Sequence, residues 1–258
     1  MVRYARSGWW LAGLLAGGGA WAQESAVPLR LCVDVRPHPP YVMLEREGTA
    51  QVLVRMAAAR AGLQVEYYHA PVARCAEEIK RNLAQGYPAA AYTPKLSAVC
   101  GFPMEGKEPD LQRATVVTRV VLYRRVGDAA DWDGKRLSHT TAKVLISHGA
   151  VGMQERLRAL GIAADDGGVD LATNFAKLLA RRGDLVLGFE TDGQLLLARA
   201  PFAGKIEALP VQFAQSHHFL CLSHQFLDAN PALAAAMWAA IPRAAASPEY
   251  RAAIKGIK

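Results

Sequence analysis

The sequence lacks the short motifs that mark most catalytic and nucleotide-binding sites. It contains no Gly-x-Ser-x-Gly nucleophile turn, no Gly-x-Gly-x-x-Gly fingerprint and no Walker sequence. It also has no Cys-x-x-Cys pair, and none of its seven histidines belongs to a His-x-x-x-His or His-Glu-x-x-His motif. We therefore predict a protein that is not an enzyme, with no catalytic residues, no metal site and no cofactor.

Strong charge of one sign is also missing. The formal net charge is +7 over 258 residues, and no run of five or six like charges occurs. Nucleic-acid-binding segments carry clustered Lys and Arg, so no nucleic-acid partner is expected. The modest positive surplus favours an anionic ligand or surface only slightly.

Residues 1–22 are predicted to be a cleavable signal peptide. Arg3 and Arg6 precede an apolar stretch at 9–20, and Ala20-Trp21-Ala22 has the small-x-small pattern that signal peptidase recognises. Twelve apolar residues are too few to cross about 30 Å of hydrocarbon, which argues against a membrane anchor. Cleavage would leave a chain of 236 residues, exported to the periplasm.

All four cysteines lie in the exported part of the chain: Cys32, Cys75, Cys100 and Cys221. An even number in an oxidising compartment indicates two disulfides, and four cysteines allow three pairings. The preferred pairing is Cys32–Cys75 with Cys100–Cys221, and free buried thiols are the alternative.

Predicted strands and helices alternate along the mature chain, which favours an α/β fold with parallel strands. The first strands are predicted at 29–35, 63–68 and 89–92, with helices at 50–61 and 73–84. The β-branched segment Ala114–Arg125 is predicted to carry the chain into a second α/β unit. That unit has strands at 143–147, 163–166, 185–190 and 206–209, with helices at 148–161, 170–182 and 195–200. A strand at 217–223 and helices beginning at Asn230-Pro231 and Ser247-Pro248 end the chain.

Ligands of open α/β sheets bind beyond the carboxyl ends of the strands, which identifies candidate site residues. The tyrosines would form an apolar wall over a small ligand, and free N–H groups at the start of a helix would receive a carboxylate. Glu190 and His148 are the one pair of residues that could act as acid and base if the site were catalytic. Ordinary packing is the alternative for each tyrosine, and a solvent-facing position is the alternative for His148. The predicted ligand-binding residues are His38, Tyr41, Tyr92, Thr93, Lys95, Arg119, Ser147, His148, Gly149, Ala150, Glu190 and Thr191.

The order and spacing of several short segments resemble the bacterial extracellular solute-binding proteins of family 3, including the proteobacterial transporter substrate-binding-domain proteins. The likeness covers nearly the whole chain from Leu29 onward. The segments are Leu31 to Tyr41, Gly48 to Leu63, Arg74-Cys75, Gly86, Tyr92-Thr93-Pro94, Phe102-Pro103, Tyr123-Arg124-Arg125, Trp132-Asp133-Gly134, Arg182-Gly183, Phe226 and Asn230-Pro231.

The resemblance implies a type II periplasmic-binding-protein fold. Two lobes, each a mixed sheet flanked by helices, would be joined by two crossing strands. Lobe 1 would comprise residues 29–123 plus 212–258, and lobe 2 residues 124–211. It further implies a monomer that captures a small polar molecule between the lobes for an inner-membrane ABC permease or a sensor.

The chain departs from the family's amino-acid-binding pattern at two positions. Members that bind amino acids carry an Arg in a Thr-Pro-x-Arg context, where its fork holds the ligand carboxylate; here Thr93-Pro94-Lys95 is followed by Leu96. Gln51 or Val52 stands where an acidic residue is usual. The expected ligand is therefore a small polar molecule, and these two positions argue against amino-acid specificity. The alternatives are a sensory or interaction module with a degenerate site, or a dehydratase-like enzyme on the same scaffold.

Overall fold

The computed structural model describes residues 27–140 and 142–257, together with Met1. The predicted signal peptide at 1–22 lies outside that part except for Met1. No helix among the described residues is both long and apolar enough to span a bilayer.

The predicted alternation of strands and helices is confirmed. The strands are β1 Val27–Asp34, β2 Leu63–Ala70, β3 Gly86–Ala91, β4 Cys100–Gly101, β5 Met104–Glu105, β6 Glu108–Pro109, β7 Ala114–Arg125, β8 Asp131–Trp132, β9 Leu137–Ser138, β10 Val144–Ser147, β11 Ala164–Gly168, β12 Val186–Phe189, β13 Ile206–Ala208 and β14 Ala214–Ser223. The helices are α1 Thr49–Arg60, α2 Val72–Lys80, α3 Pro94–Ser97, α4 Val151–Ala159, α5 Leu171–Leu179, α6 Glu190–Leu197, α7 His224–Ala229, α8 Pro231–Ala245 and α9 Pro248–Ala253, and a 3-10 turn spans Leu111–Arg113.

The two long strands β7 and β14 join the two lobes. The main sheet has the order β11-β10-β12-β7-β14-β3-β1-β2, with β13 on β7 and β4 on β14. Residues 114–120 of β7 pair with β14, whereas residues 120–125 pair with β12 and β13. Residues 214–219 of β14 pair with β7, and residues 218–222 pair with β3. Backbone hydrogen bonding is thus continuous across the main sheet. Among the described residues, the parallel strands of one lobe connect to those of the other through β7 and β14.

The first lobe has a core on each face of its strands because alternate residues of a strand point to opposite faces. Leu31, Leu220 and Leu222 pack against α1 and α8 on one face. Their neighbours Cys32 and Cys221 face the other side, with α2.

The second lobe repeats the arrangement. Val144 and Leu122 belong to one core, and Leu145, Tyr123 and Phe175 to the other. Four separate cores on two sets of strands confirm the predicted two-lobe α/β fold.

Both disulfides of the preferred pairing are present. Cys32–Cys75 ties β1 to α2, and Cys100–Cys221 ties β4 to β14. No free cysteine remains.

Several predicted helix ends differ from the structure for local reasons. The second helix ends at Lys80 and not at 84, since Asn82 adopts a positive φ of 54°. The helix predicted at His148-Gly149 begins at Val151, because Gly149 lies in a turn with φ 78°. The helix predicted at 195–200 begins at Glu190, where Glu190 and Asp192 place negative charge in the first turn.

Candidate functional site

Two adjoining cavities lie where the lobes face each other, and both are lined by residues from the two lobes. The large cavity has a volume of about 850 Å³ and the small cavity about 250 Å³. They share five lining residues, which are Val72, Tyr87, Leu96, Phe189 and His218. The large cavity falls within the range of roughly 300–1,000 Å³ that is usual for small-molecule sites.

Seven of the twelve predicted ligand-binding residues line these cavities. His38 and Tyr41 line the small cavity, whereas the large cavity is lined by Tyr92, Thr93, Lys95, Gly149 and Ala150. The rule that ligands bind beyond the carboxyl ends of strands therefore located the cleft from both sides.

The other five lie elsewhere or are already engaged. Arg119 Nη1 donates to Glu190 Oε1 at 2.8 Å, so these two charges satisfy each other. Arg119 follows Thr118 and precedes Val120, which lines the large cavity, so the alternation along β7 directs Arg119 to the opposite face.

Three predicted residues of the second lobe, Ser147, His148 and Thr191, line neither cavity. His148 is 77% exposed, with its Nδ1 4.0 Å from Asp166 Oδ2. Ser147 ends β10, and Thr191 Oγ1 is buried without a hydrogen-bond partner among the described residues. Glu190 and His148 line neither cavity, so the structure does not bring the acid–base pair together at the cleft.

Gln51 is part of the scaffold and not of the cavity wall. It is 2% exposed, and its Oε1 accepts hydrogen bonds from Met43 N and Gly48 N, both at 2.8 Å. The first N–H groups of α1 are occupied as well, because Thr49 N donates to Pro40 O and Ala50 N to Tyr41 O. The start of α1 thus holds the chain's own loop at residues 40–43.

That loop approaches α1 closely because residue 48 is glycine. A Cβ atom at position 48 would lie 2.3 Å from Tyr41 O, far inside contact distance. The loop places His38, whose Nδ1 lies 3.2 Å from Asp192 Oδ1 in α6. The His38 ring also lies 5.0 Å from the Phe189 ring and 6.0 Å from the His218 ring. These contacts link the first lobe to the start of α6.

Phe189, which lines both cavities, is held by the buried side chain of Tyr123. The Tyr123 hydroxyl donates to Phe189 O at 3.0 Å, and burial raises the pKa of this hydroxyl, so it stays protonated as a donor. A Cβ atom at Gly193 would overlap the same hydroxyl. The β12–α6 junction is therefore fixed from beneath the cleft.

His218 is a neutral wall residue. Burial, reinforced by the nearby His38 and His217 rings, lowers its pKa from 6.5 to about 4, although Asp192 acts in the opposite direction. Its Nε2 lies 3.1 Å from Ser216 Oγ. At neutral pH it offers hydrogen bonds and no charge.

The sequence analysis did not predict that residues of β14 and further residues of α4 line the large cavity. The strand was predicted from His217 but begins at Ala214, and residues 214–218 line the large cavity. Met153 and Arg156 also line it, at i+4 and i+7 from Gly149. Helical periodicity from Gly149 was the signal that could have found them.

Comparison with solved structures supports the fold. No family model matches the chain, and no curated protein sequence is significantly similar to it. The GluR0 ligand-binding core from Nostoc punctiforme in complex with L-glutamate is 16% identical with a TM-score of 0.59, covering 88% of this chain and 96% of that one.

Two further structures have the same architecture. An ancestral arginine-binding protein bound to glutamine is 15% identical with a TM-score of 0.60, over 87% of this chain and 95% of that one. A histidine kinase sensor domain similar to periplasmic binding proteins is 15% identical with a TM-score of 0.63, over 89% and 95%. At such identities the likeness establishes the fold: this chain has the two-lobe architecture of periplasmic binding proteins.

Proposed function

We propose that this protein is a periplasmic solute-binding protein that captures a small molecule between its lobes and delivers it to an ABC-type transporter. The observation that carries the proposal is the large cavity, which is lined by both lobes and bordered by the crossing strands β7 and β14. A ligand that contacts both walls stabilises the closed arrangement, which is how hinged two-lobe proteins respond to cargo. The proposed lobe boundaries are residues 29–123 with 212–258 for the first lobe and 124–211 for the second, and the crossing strand β7 packs Leu122 and Tyr123 into the cores of the second lobe.

The test is a thermal-shift screen of polar metabolites against the wild type and a cleft-filled variant. A ligand at a hundredfold excess over its Kd stabilises the folded state by about 2.7 kcal/mol. Ala150 lines the large cavity at the start of α4, so Ala150→Trp would occupy ligand space. Ala159 ends the same helix in an exposed position away from both cavities, so Ala159→Trp is the matched control.

We expect one or more solutes to raise the Tm of the wild type and of Ala159→Trp, but not that of Ala150→Trp. The proposal fails if a broad set of polar metabolites leaves the wild type unshifted, or if both Trp variants respond equally.

A sensory role is the second candidate, because a histidine kinase sensor domain is among the similar structures. The two roles differ in what a gene deletion removes. For a transport component, uptake of the identified ligand falls in the deletion strain; for a sensor, uptake persists while the transcriptional response to the ligand is lost.

A further inference from the structure

We infer that the large cavity binds an organic carboxylate with an apolar body and no ammonium group. This inference rests on the proposed function and specifies the chemical class of its ligand.

The first argument is the charge of the lining. Lys95 in α3 and Arg156 in α4 are its two permanent cations, one from each lobe. No Asp or Glu is among the described residues that line this cavity. Neither Lys95 nor Arg156 takes part in an ion pair within 4.0 Å among the described residues. Two uncompensated positive charges on facing walls favour an anion between them.

The second argument is the fate of the acidic residues nearest the cleft. Asp34 lines the small cavity and is paired with Arg36, whose Nη2 lies 3.0 Å from Asp34 Oδ2. Glu190 and Asp192 line neither cavity; Glu190 is paired with Arg119, and Asp192 lies against His38. Gln51 at the start of α1 is buried and accepts two backbone N–H groups. An α-ammonium group in the large cavity would therefore lose water without gaining a carboxylate, which is unfavourable for a charged group.

The third argument is the apolar surface of the walls. Leu96 lines both cavities. The large cavity is also lined by Tyr92, Val99, Met153, Phe189 and Phe213. Tyr92 is held edge-on against Phe102, with ring centroids 5.3 Å apart. Binding a hydrocarbon group against such walls is favourable because apolar surface is removed from water, whereas a fully polar solute brings no such stabilisation.

The remaining polar lining supplies hydrogen bonds without negative charge. His218 is neutral at pH 7, and Gln215 and Ser216 precede it on the same strand. The Thr93 hydroxyl already accepts Leu96 N at 3.1 Å. These groups can orient a carboxylate, but none of them replaces a carboxylate partner for an ammonium group.

Isothermal titration with matched probes tests the inference. One set is 3-phenylpropanoate, L-phenylalanine, 3-phenylpropan-1-ol and 3-phenylpropan-1-amine; the other is 4-methylpentanoate and L-leucine. Within a set the body is constant and only the charged groups change. We expect at least one carboxylate to bind about tenfold or more tightly than its amino-acid, alcohol and amine counterparts, since charged hydrogen bonds contribute more than neutral ones.

Substitution of the two cavity cations tests whether the carboxylate binds in the large cavity. Lys95→Met and Arg156→Met should each weaken carboxylate binding by about fivefold or more. The controls are Lys107→Met and Arg158→Met, which alter exposed cations outside both cavities, Arg158 being on the same helix as Arg156. These controls should retain wild-type affinity, and wild-type circular dichroism of all four variants establishes that folding is unchanged.

Tighter binding of the amino acids or the amine would overturn the inferred class while leaving the proposed function intact. Equal losses in the cavity and control variants would also overturn it. If neither carboxylate binds, the inference fails, and the wider thermal-shift screen decides separately whether the cleft binds another solute.

Discussion

The first lobe is cross-linked by two disulfides, whereas the second lobe has no cysteine and contains instead a buried arginine, Arg125, that links several of its segments. In the first lobe, Cys32–Cys75 and Cys100–Cys221 connect strands to their flanking elements. In the second, Arg125 is 11% exposed, and its Nη1 donates to Leu178 O at 2.6 Å and Gly183 O at 2.7 Å. Its Nη2 contacts Asp128 and Asp184. The first lobe is thus linked covalently, and the second by a buried charge network.

The largest expected effect is on the first lobe. Removing Cys100–Cys221 by the double change Cys100→Ala with Cys221→Ala should lower the free energy of unfolding by about 3–5 kcal/mol, because that link closes a sequence separation of 121 residues. The shorter Cys32–Cys75 link, separation 43, should cost about 1 kcal/mol less. Urea denaturation with wild type as reference measures both. A loss below about 1 kcal/mol in each double variant would show that the disulfides do not stabilise this lobe.

Arg125→Met should have the next largest effect, lowering the free energy of unfolding by about 3 kcal/mol, because it removes the cation paired with Asp128 and Asp184 and the donor to two carbonyl groups. Arg36→Met is the control: Arg36 is 72% exposed and, among the described residues, forms an ion pair with Asp34 alone, so the free energy of unfolding should fall by less than about 1 kcal/mol. Equilibrium denaturation of both variants gives the comparison. Similar losses in the two would remove the contrast between a buried and an exposed arginine.

Acid should weaken the contact between the lobes through His218. Its folded pKa of about 4 lies below the unfolded value of 6.5, so the unfolded chain binds the extra proton first as pH falls. Stability should therefore fall between pH 6.5 and pH 4, by about 1–3 kcal/mol from this group, and be unaffected by it above pH 6.5.

His218→Gln should flatten that part of the pH profile, measured by urea denaturation at several pH values. His69→Gln, which alters an exposed histidine on β2, should retain the wild-type slope. An unchanged slope in His218→Gln would mean that another group causes the acid sensitivity.

The smallest change in the free energy of unfolding should come from the contact between His38 and Asp192 across the cleft. Asp192→Asn removes one charge from the His38–Asp192 pair, both members of which are partly exposed, so we expect a loss below about 1 kcal/mol. Asp166→Asn, beside the exposed His148, should have no measurable effect. A loss of several kcal/mol in Asp192→Asn would show that this pair is a principal tie between the lobes.

Much of the fold could be predicted because short segments of the sequence indicate where strands and helices begin and end. The β-branched run Ala114–Arg125 became β7 with the same bounds, and Gly62, with φ 75°, follows the end of α1 as predicted. The disulfide pairing was chosen correctly among three alternatives. The start of α6 was missed because Val186–Phe189 and the first turn of the helix form one apolar-to-acidic stretch that the pattern assigned to a strand.

The site was predictable only in part, since side-chain direction depends on tertiary context. The strand-end rule predicted Tyr92, Thr93 and Lys95 as site residues, and all three line the large cavity. The role of Arg119 depends on the register of β7 against β12, which places it beside Glu190 and on the face away from Val120. Phe213 and His218 belong to the cavity because β14 crosses between the lobes, which no single segment reveals.

The central claim is that a ligand bridges the two lobes, and hydrogen–deuterium exchange tests it most directly. The measurement compares the protein with and without the solute that gives the largest thermal shift. We predict slower exchange in residues 92–99 of the first lobe and in residues 149–156 of the second, because both segments line the large cavity. Protection confined to one of these segments, or found only at the Arg119–Glu190 side, would contradict the account.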